Sequence, residues 1–376
     1  MTILFNRGVP AVESFGVEEV KEAAAAALAA HGPAILQYGP SLGFAPLREW
    51  LAERHGVAVD RVILGNGSLQ LLEFLCLTQV RPGDVVVTES PTYDRALTLL
   101  RRHGAVPRGV PLGEDGPDLD RLEAALASGK PRFVYLIPDF QNPSGVTCSG
   151  EKRRRIAALA ERHDLLLVED APYRPLRYRG TEEPSLLSLA PERTLHMSSF
   201  SKLVGPGPRV GYMVGPPKLV AALARAAEDT YISPANLAHG IAWEWCRSGR
   251  LPAQVEKLKA LYAPRLDACL AALAEHLPDA RATRPEGGFF LSLTLGDSVT
   301  TRAVREAALR HEVQLADGEA FFPDGGGERF LRLPYCALTP AEIAEGVSRL
   351  AAAVRELERA AAPRLISPRP LSSSSP

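Results

Sequence analysis

Between residues 62 and 214 the chain alternates short apolar runs with amphipathic stretches, and this leaves few folds open. Residues 62–64, 84–88, 106–110, 132–137, 165–168, 195–197 and 210–214 are rich in Val, Ile, Leu, Phe and Tyr and read as strands. Helical spacing of apolar residues falls between them, in 69–80, 93–103, 118–127 and 150–163. Strands that are apolar on both faces and separated by helices imply a sheet covered on both sides. The expected fold class is therefore α/β, with a mostly parallel seven-stranded sheet in a large domain.

Outside that span the pattern changes. An alanine-rich helix is expected over 17–31, ended by Gly32-Pro33. Helical patterns run over 217–247 and 252–277. A smaller α+β unit follows, with strands at 287–295, 313–316 and 329–335 and helices at 300–310 and 340–360. The expected division is 1–34 as a segment and helix joining the small domain, 35–250 as the large domain, 251–362 as the small one, and a Pro/Ser-rich disordered tail over 363–376.

Composition narrows the function class. The formal net charge of −1 gives no electrostatic footprint for nucleic acid. Cys76, Cys148, Cys246, Cys269 and Cys336 are odd in number, widely spaced and free of CxxC, which argues against a disulfide framework and a structural zinc site. The eight histidines form no metal-ligand spacing, so no metal is expected. No signal pattern opens the chain and no apolar run spans a bilayer. A soluble cytoplasmic protein with small-molecule partners is expected.

In open α/β sheets chemistry collects beyond the carboxyl ends of the strands. Here those ends carry Gly67-Ser68, Ser90 to Tyr93, Asp139 to Gly145, Glu169 to Tyr173 and Ser198 to Lys202. Gly65-Asn66-Gly67-Ser68 before a helix suits a phosphate, or is a tight turn; a dinucleotide fingerprint would need glycine where Gln70 stands. Asn142 before Pro143 is held extended and can aim its amide inward, or marks a turn. Glu169-Asp170 places two carboxylates at the end of a buried strand, where one can serve a protonated ring nitrogen or cap a helix. Lys202, behind Ser198, Ser199 and Ser201 and ahead of Arg209, suits a Schiff-base lysine beside a cofactor phosphate, or is an incidental lysine in a polar loop. Ser199 to Lys202 also fits S-x-x-K, the motif of a serine hydrolase, but the K-T-G and S-D-N elements that accompany it are absent. Arg153-Arg154-Arg155 reads as a solvated helix face.

The stretches QYGPSLGFAPLREWLA, LGNGSLQLLEFL, ESPTYDRAL, YLIPDFQNPSGVT, VEDAPYRPLRY, SSFSKLVGPGPRVGY, RPEGGFFLSL and FLRLPYCAL, in that order, resemble fold-type-I, class I/II aminotransferases. The 2-aminoadipate and kynurenine aminotransferases are the nearest group in pattern, and the catalytic-like domain of MocR-type regulators is also similar. The resemblance implies pyridoxal 5'-phosphate (PLP) as cofactor and transfer of an amino group from an L-amino acid (2-aminoadipate-like, aromatic or branched) to a 2-oxo acid such as 2-oxoglutarate. Other PLP reactions at the α-carbon use the same frame. By position, Lys202 would carry the cofactor, Asp170 would pair with the ring nitrogen and Tyr93 would stack on the ring. Asn142 and Tyr173 would bond the ring oxygen. Gly67, Ser68, Ser199, Ser201 and Arg209 would hold the phosphate. Tyr38 would reach the phosphate of a second subunit in a homodimer with shared sites. Arg332 would clamp the substrate carboxylate, with Gly8 and Asn142 beside it. Leu69 replaces a common glutamine, Ala171 an aspartate, and Arg7 a glycine, which makes Arg7 a candidate for an acidic side chain. The relatives carry a helical lid ahead of the Gly-x-Pro element, and this chain starts almost at that element, so a more open side-chain pocket is expected.

Overall fold

The computed structural model describes residues 1–361, and the tail expected at 363–376 lies outside the described residues. The large sheet has eight strands, in the order Val62–Gly65, Gly211–Val214, Thr194–Ser199, Leu167–Asp170, Val134–Leu136, Val85–Ser90, Val106–Gly113, Gly116–Pro117. Seven match the expected strands. The eighth is a two-residue return that pairs antiparallel with Leu112 and Gly113. The centre of the sheet is parallel, and Gly211–Val214 runs against both of its neighbours.

Alternation along the central strands sorts the core. Ile63, Val86, Tyr135, Val168, Leu195 and Met213 face the helices Ser68–Gln79 and Pro217–Tyr231. Val87, Val134, Leu136 and Leu167 face the helices Leu119–Ala127 and Gly150–Arg162. A period of two sends successive side chains to opposite layers, so both faces are apolar, as the sequence requires.

A second, three-stranded antiparallel sheet, in the order Arg281–Ala282, Phe290–Thr294, Phe330–Pro334, packs with the helices Arg250–His276, Thr301–Arg310 and Pro340–Ala361. The chain start is tied to this unit, because Ile3–Phe5 pairs parallel with Val313–Leu315. The helix Val17–Leu36 instead packs along Asn236–Arg247.

Two helices depart from the sequence reading. The first continues through Pro33 to Leu36 instead of stopping at His31. Ile35 is buried beside Gly240, and that packing carries the helix past its missing hydrogen bond. The stretch 217–247 is two helices, Pro217–Tyr231 and Asn236–Arg247. Ile232 takes φ +67° and Pro234 follows, which together end the first helix.

Arg153 is a correction of a different kind. It is fully buried, unlike its exposed neighbours Arg154 and Arg155. Its guanidinium bonds Asp139 Oδ1 at 2.8 Å and Oδ2 at 3.2 Å, and the carbonyls of Pro138 and Cys148 at 2.8 Å. Arg174 Nη1 adds a third contact to Asp139 at 3.0 Å. Burial alone would raise the Asp139 carboxyl, but the two arginines hold it below the usual carboxylate range. This knot pins both ends of the 138–149 loop that carries Asn142. Removing one partner leaves a buried charge, a loss of about 3–5 kcal/mol. Arg153→Ala is therefore expected to lower the thermal midpoint by several degrees, read by circular dichroism, while Arg154→Ala leaves it within a degree. Equal midpoints for the two variants would contradict the assignment.

Candidate active site

Asp170 is buried at the end of its strand and accepts a hydrogen bond from the Tyr135 hydroxyl, 2.6 Å from Oδ2. Its Oδ1 is buried without a partner. Burial pushes its carboxyl up to about 6, opposed by the Tyr135 hydrogen bond and by His196 and Lys202 nearby. Glu169 points the other way, as alternation demands. It accepts from the backbone N–H of Leu186 and Leu187 and pairs with His196 Nδ1 at 2.8 Å. Of the two adjacent carboxylates, only Asp170 offers an unmatched oxygen.

The turn before the helix Ser68–Gln79 forms a cup. Gly67 caps the helix with φ +98°, and a Cβ there would lie 2.3 Å from Arg209 Nη2. A Cβ on Gly211 would lie 2.2 Å from Ser68 N. Glycine at both positions lets the backbone amides and Arg209 come together, and Arg209 itself takes φ +57° to get there. Ser68 is the first helical residue and not the cap. Ser199 Oγ accepts from Ser201 N at 3.3 Å on the neighbouring strand end. A helix N-terminus with an arginine and hydroxyls suits a phosphate.

Lys202 is partly buried, and its Nζ donates to Gly8 O at 3.4 Å. It makes no hydrogen bond to Ser199, so the base–nucleophile pair that an S-x-x-K hydrolase needs is not formed. Nζ lies 5.7 Å from the Tyr173 ring centroid and 5.4 Å from that of Phe289. Burial lowers its pKa, as do Arg209 and Arg332, while Cys336 and Asp170 oppose the shift.

Arg332, from the small unit, donates through Nη1 to Asn142 Oδ1 and through Nη2 to Asn6 O, both at 3.0 Å. Its Nε is buried and unpartnered. Phe290 and Phe321 lie on it at 4.8 and 4.7 Å, leaving its in-plane edge for further bonds. Segment 6–8 thus touches both Arg332 and Lys202. Arg7, between those two contacts, is exposed and has no polar partner among the described residues.

Tyr93 caps the helix Asp94–Arg102, and burial pushes its phenol up to about 12, with Asp170 adding to the shift. Tyr173 is buried against Phe289 and Phe290. Tyr38 stands apart, 72% exposed. Asn142, Asp170, Tyr173, Lys202 and Arg332 are thereby brought into one region. Tyr135, His196, Asn6, Phe290 and Phe321 were not singled out from the sequence. Tyr135 was legible only through strand register, and Phe321 lies in an irregular segment with no such signal.

The family model for aminotransferase class I and II matches residues 2–350. The chain belongs to this family. As an aminotransferase it is 35% identical over 362 residues to aromatic-amino-acid aminotransferase 1 of Thermococcus litoralis, across 93% of this chain and 87% of the relative. It is 37% identical over 358 residues to the 2-aminoadipate transaminase of Thermus thermophilus, across 94% and 90%. The crystal structure of an alpha-aminoadipate aminotransferase from Thermus thermophilus, complexed with N-(5'-phosphopyridoxyl)-L-leucine, superposes with a TM-score of 0.91 at 36% identity, covering 95% of this chain and 92% of that one. The Pyrococcus horikoshii kynurenine aminotransferase, in complex with PMP, gives 0.91 at 33%, covering 94% and 91%. The fold is that of the fold-type-I enzymes, and the cofactor is PLP. The residues fit that group: Asp170 Oδ1 lacks a donor, the Gly67 cup would be filled by a Cβ, and Lys202 supplies an amine within electrostatic reach of Asp170 and Arg209.

Gly67→Ala imposes both a disfavoured φ and a clash with Arg209. The aminotransferase variant is expected to bind PLP at least tenfold more weakly in a spectroscopic titration. Unchanged affinity would place the phosphate elsewhere.

Proposed function

We propose that this aminotransferase moves the amino group of an L-amino acid with an acidic, aromatic or branched side chain to a 2-oxo acid, with 2-oxoglutarate as acceptor. The observation that carries this reading is the pair of buried, unpartnered atoms of opposite charge, Asp170 Oδ1 and Arg332 Nε, with Lys202 within electrostatic reach of both residues. A protonated ring nitrogen would satisfy the first and a substrate carboxylate the second.

When bound, PLP supplies an electron sink and carries the amino group between two half-reactions. The chain's own residues do the rest. Arg332, its faces covered by phenyl rings, would take the α-carboxylate along its free edge. Lys202, made less basic by burial, would take the proton from the substrate α-carbon and deliver it to the cofactor carbon that receives the amino group. Asp170 would hold a proton at the ring nitrogen through Oδ1. Tyr93 would cover the ring face, and Asn142 and Tyr173 would bond its oxygen. Gly67, Ser68, Ser199, Ser201 and Arg209 would hold the phosphate.

Two features support a homodimer. Leu36, Tyr38, Ile232 and Leu237 are exposed, and the 38–39 segment adjoins Asn236, where a Cβ on Gly39 would meet Nδ2 at 2.2 Å. A second copy of the chain would cover this surface and bring Tyr38 to the partner's phosphate site. Work in a reducing, cytoplasmic setting is supported by five buried cysteines, all free. Among the described residues no helix is long and apolar enough to cross a membrane, and no His/Cys/Asp/Glu cluster could hold a metal.

Arg7 is the proposed reader of acidic side chains, because its neighbours Asn6 and Gly8 touch Arg332 and Lys202. The test is a panel of 2-aminoadipate, glutamate, leucine and phenylalanine with 2-oxoglutarate, with products identified for the native protein and Arg7→Ala. Transamination is expected, and the variant should lose roughly tenfold in kcat/KM for the acidic donors, the value of a charge-assisted contact of about 1.5–3 kcal/mol. Equal losses for acidic and apolar donors would remove Arg7 from recognition. No amino transfer to any oxo acid would overturn the function itself.

A further inference from the structure

We propose that Tyr135 is a positioning residue for Asp170: its hydroxyl occupies Oδ2 and fixes the carboxylate so that Oδ1 alone is presented to the cofactor ring nitrogen. This rests on the reading of Asp170 given above and adds to it the residue that sets how tightly Asp170 holds its charge.

Strand register builds the contact. Tyr135 pairs with Val168, and Asp170 lies two residues further along the same parallel strand. Residues two apart share a face, so Tyr135 and Asp170 are diagonal neighbours in the same layer, within reach of a long side chain. Tyr135 is fully buried, and among the described residues its hydroxyl has no hydrogen-bond partner besides Asp170. Its single proton therefore goes to the carboxylate.

The other groups facing Asp170 do not supply that bond. Glu89, from the strand beyond Tyr135, accepts from Ile137 N and Gln141 Nε2, and burial pushes its carboxyl up to about 8. His196, from the strand on the opposite side, is engaged through Nδ1 with Glu169. Lys202 acts on Asp170 through its charge, Tyr93 is a neutral phenol, and neither makes a hydrogen bond to it. Tyr135 is thus the sole hydrogen-bond donor to the Asp170 carboxylate among the described residues. A buried carboxylate without a donor holds its proton more tightly, and a neutral Asp170 cannot favour a protonated ring.

The sign of the effect follows. Cofactor binding lowers the Asp170 pKa by pairing it with a cation. Its contribution to PLP affinity is therefore full above the free-state value of about 6 and is lost progressively as pH falls from there to the lowered bound-state value. Removing the Tyr135 hydroxyl raises the free-state value, so this acid limb moves to higher pH.

The experiment measures PLP affinity from pH 5 to 9 for the native protein, Tyr135→Phe and Asp170→Asn. In the same proteins, the NMR shift of ring-15N PLP reports where the shared proton sits. Tyr135→Phe is expected to move the acid limb up by about one pH unit, a tenfold change in proton affinity. It should also move the 15N signal toward neutral pyridine, with kcat falling more than KM. Asp170→Asn should abolish the limb and give the neutral signal outright. If Asp170→Asn keeps the limb and a protonated ring, the reading of Asp170 itself fails. If Asp170→Asn behaves as stated but Tyr135→Phe matches the native protein, Tyr135 only packs and the present proposal is overturned. Should Tyr135→Phe not fold, 3-fluorotyrosine placed at position 135 alone keeps the shape and strengthens the donor. It must then move the limb to lower pH, and an unmoved limb overturns the proposal.

Discussion

Asp170 is a carboxylate carried by a buried strand end, and much of the surrounding architecture is what such a group requires. An ionised carboxylate in an apolar layer is costly unless it is bonded and paired. One oxygen is satisfied from the next strand by Tyr135. The other is left without a partner, and Lys202, from the end of the strand on the opposite side, lies within electrostatic reach. The strands ending at Asp170 and Ser199 are parallel neighbours, and Val62–Gly65 runs the same way beyond the antiparallel Gly211–Val214, so the acid, the amine and the glycine cup share one edge of the sheet. In the proposed reading, that edge is the floor on which the cofactor would sit.

The second constraint is that the site is not complete within the large sheet. Arg332 stands on the small antiparallel sheet and reaches Asn142 on the large unit and Asn6 near the chain start. Ile3–Phe5 is fastened to Val313–Leu315, so the segment that touches both Arg332 and Lys202 is anchored in the small unit. Arg332 and the Asn6–Gly8 segment are thus linked to the same small unit. On the large unit the Arg153–Asp139–Arg174 knot holds the loop that carries Asn142.

Much of this was legible in the sequence, and the reasons are physical. Apolar runs alternating with amphipathic helices determine a covered sheet, and chemistry-bearing residues at every strand end point to its active edge. Asp170, Asn142 and Lys202 could be placed on that edge from the sequence because each ends or follows an apolar strand, and Arg209 because it opens one. The misses share one cause: a side chain whose partner is distant in the chain has no local signature. Arg153 looks like one of three surface arginines until its helix is docked over Asp139. Tyr135 looks like ordinary core until register sets it beside Asp170. Proline at position 33 is a sound helix stop locally, and only the packing of Ile35 on Gly240 overrides it.

Lys202 is the proposed carrier of the cofactor, and the chemistry depends on it more than on any other side chain. The direct measurement is to reduce the PLP-loaded protein with borohydride, digest it and locate the pyridoxyl group by mass spectrometry. A single modified peptide with the group on Lys202, absent from Lys202→Ala, is the predicted result. A stoichiometric label on any other lysine, or none on Lys202 in protein that binds PLP, would contradict it.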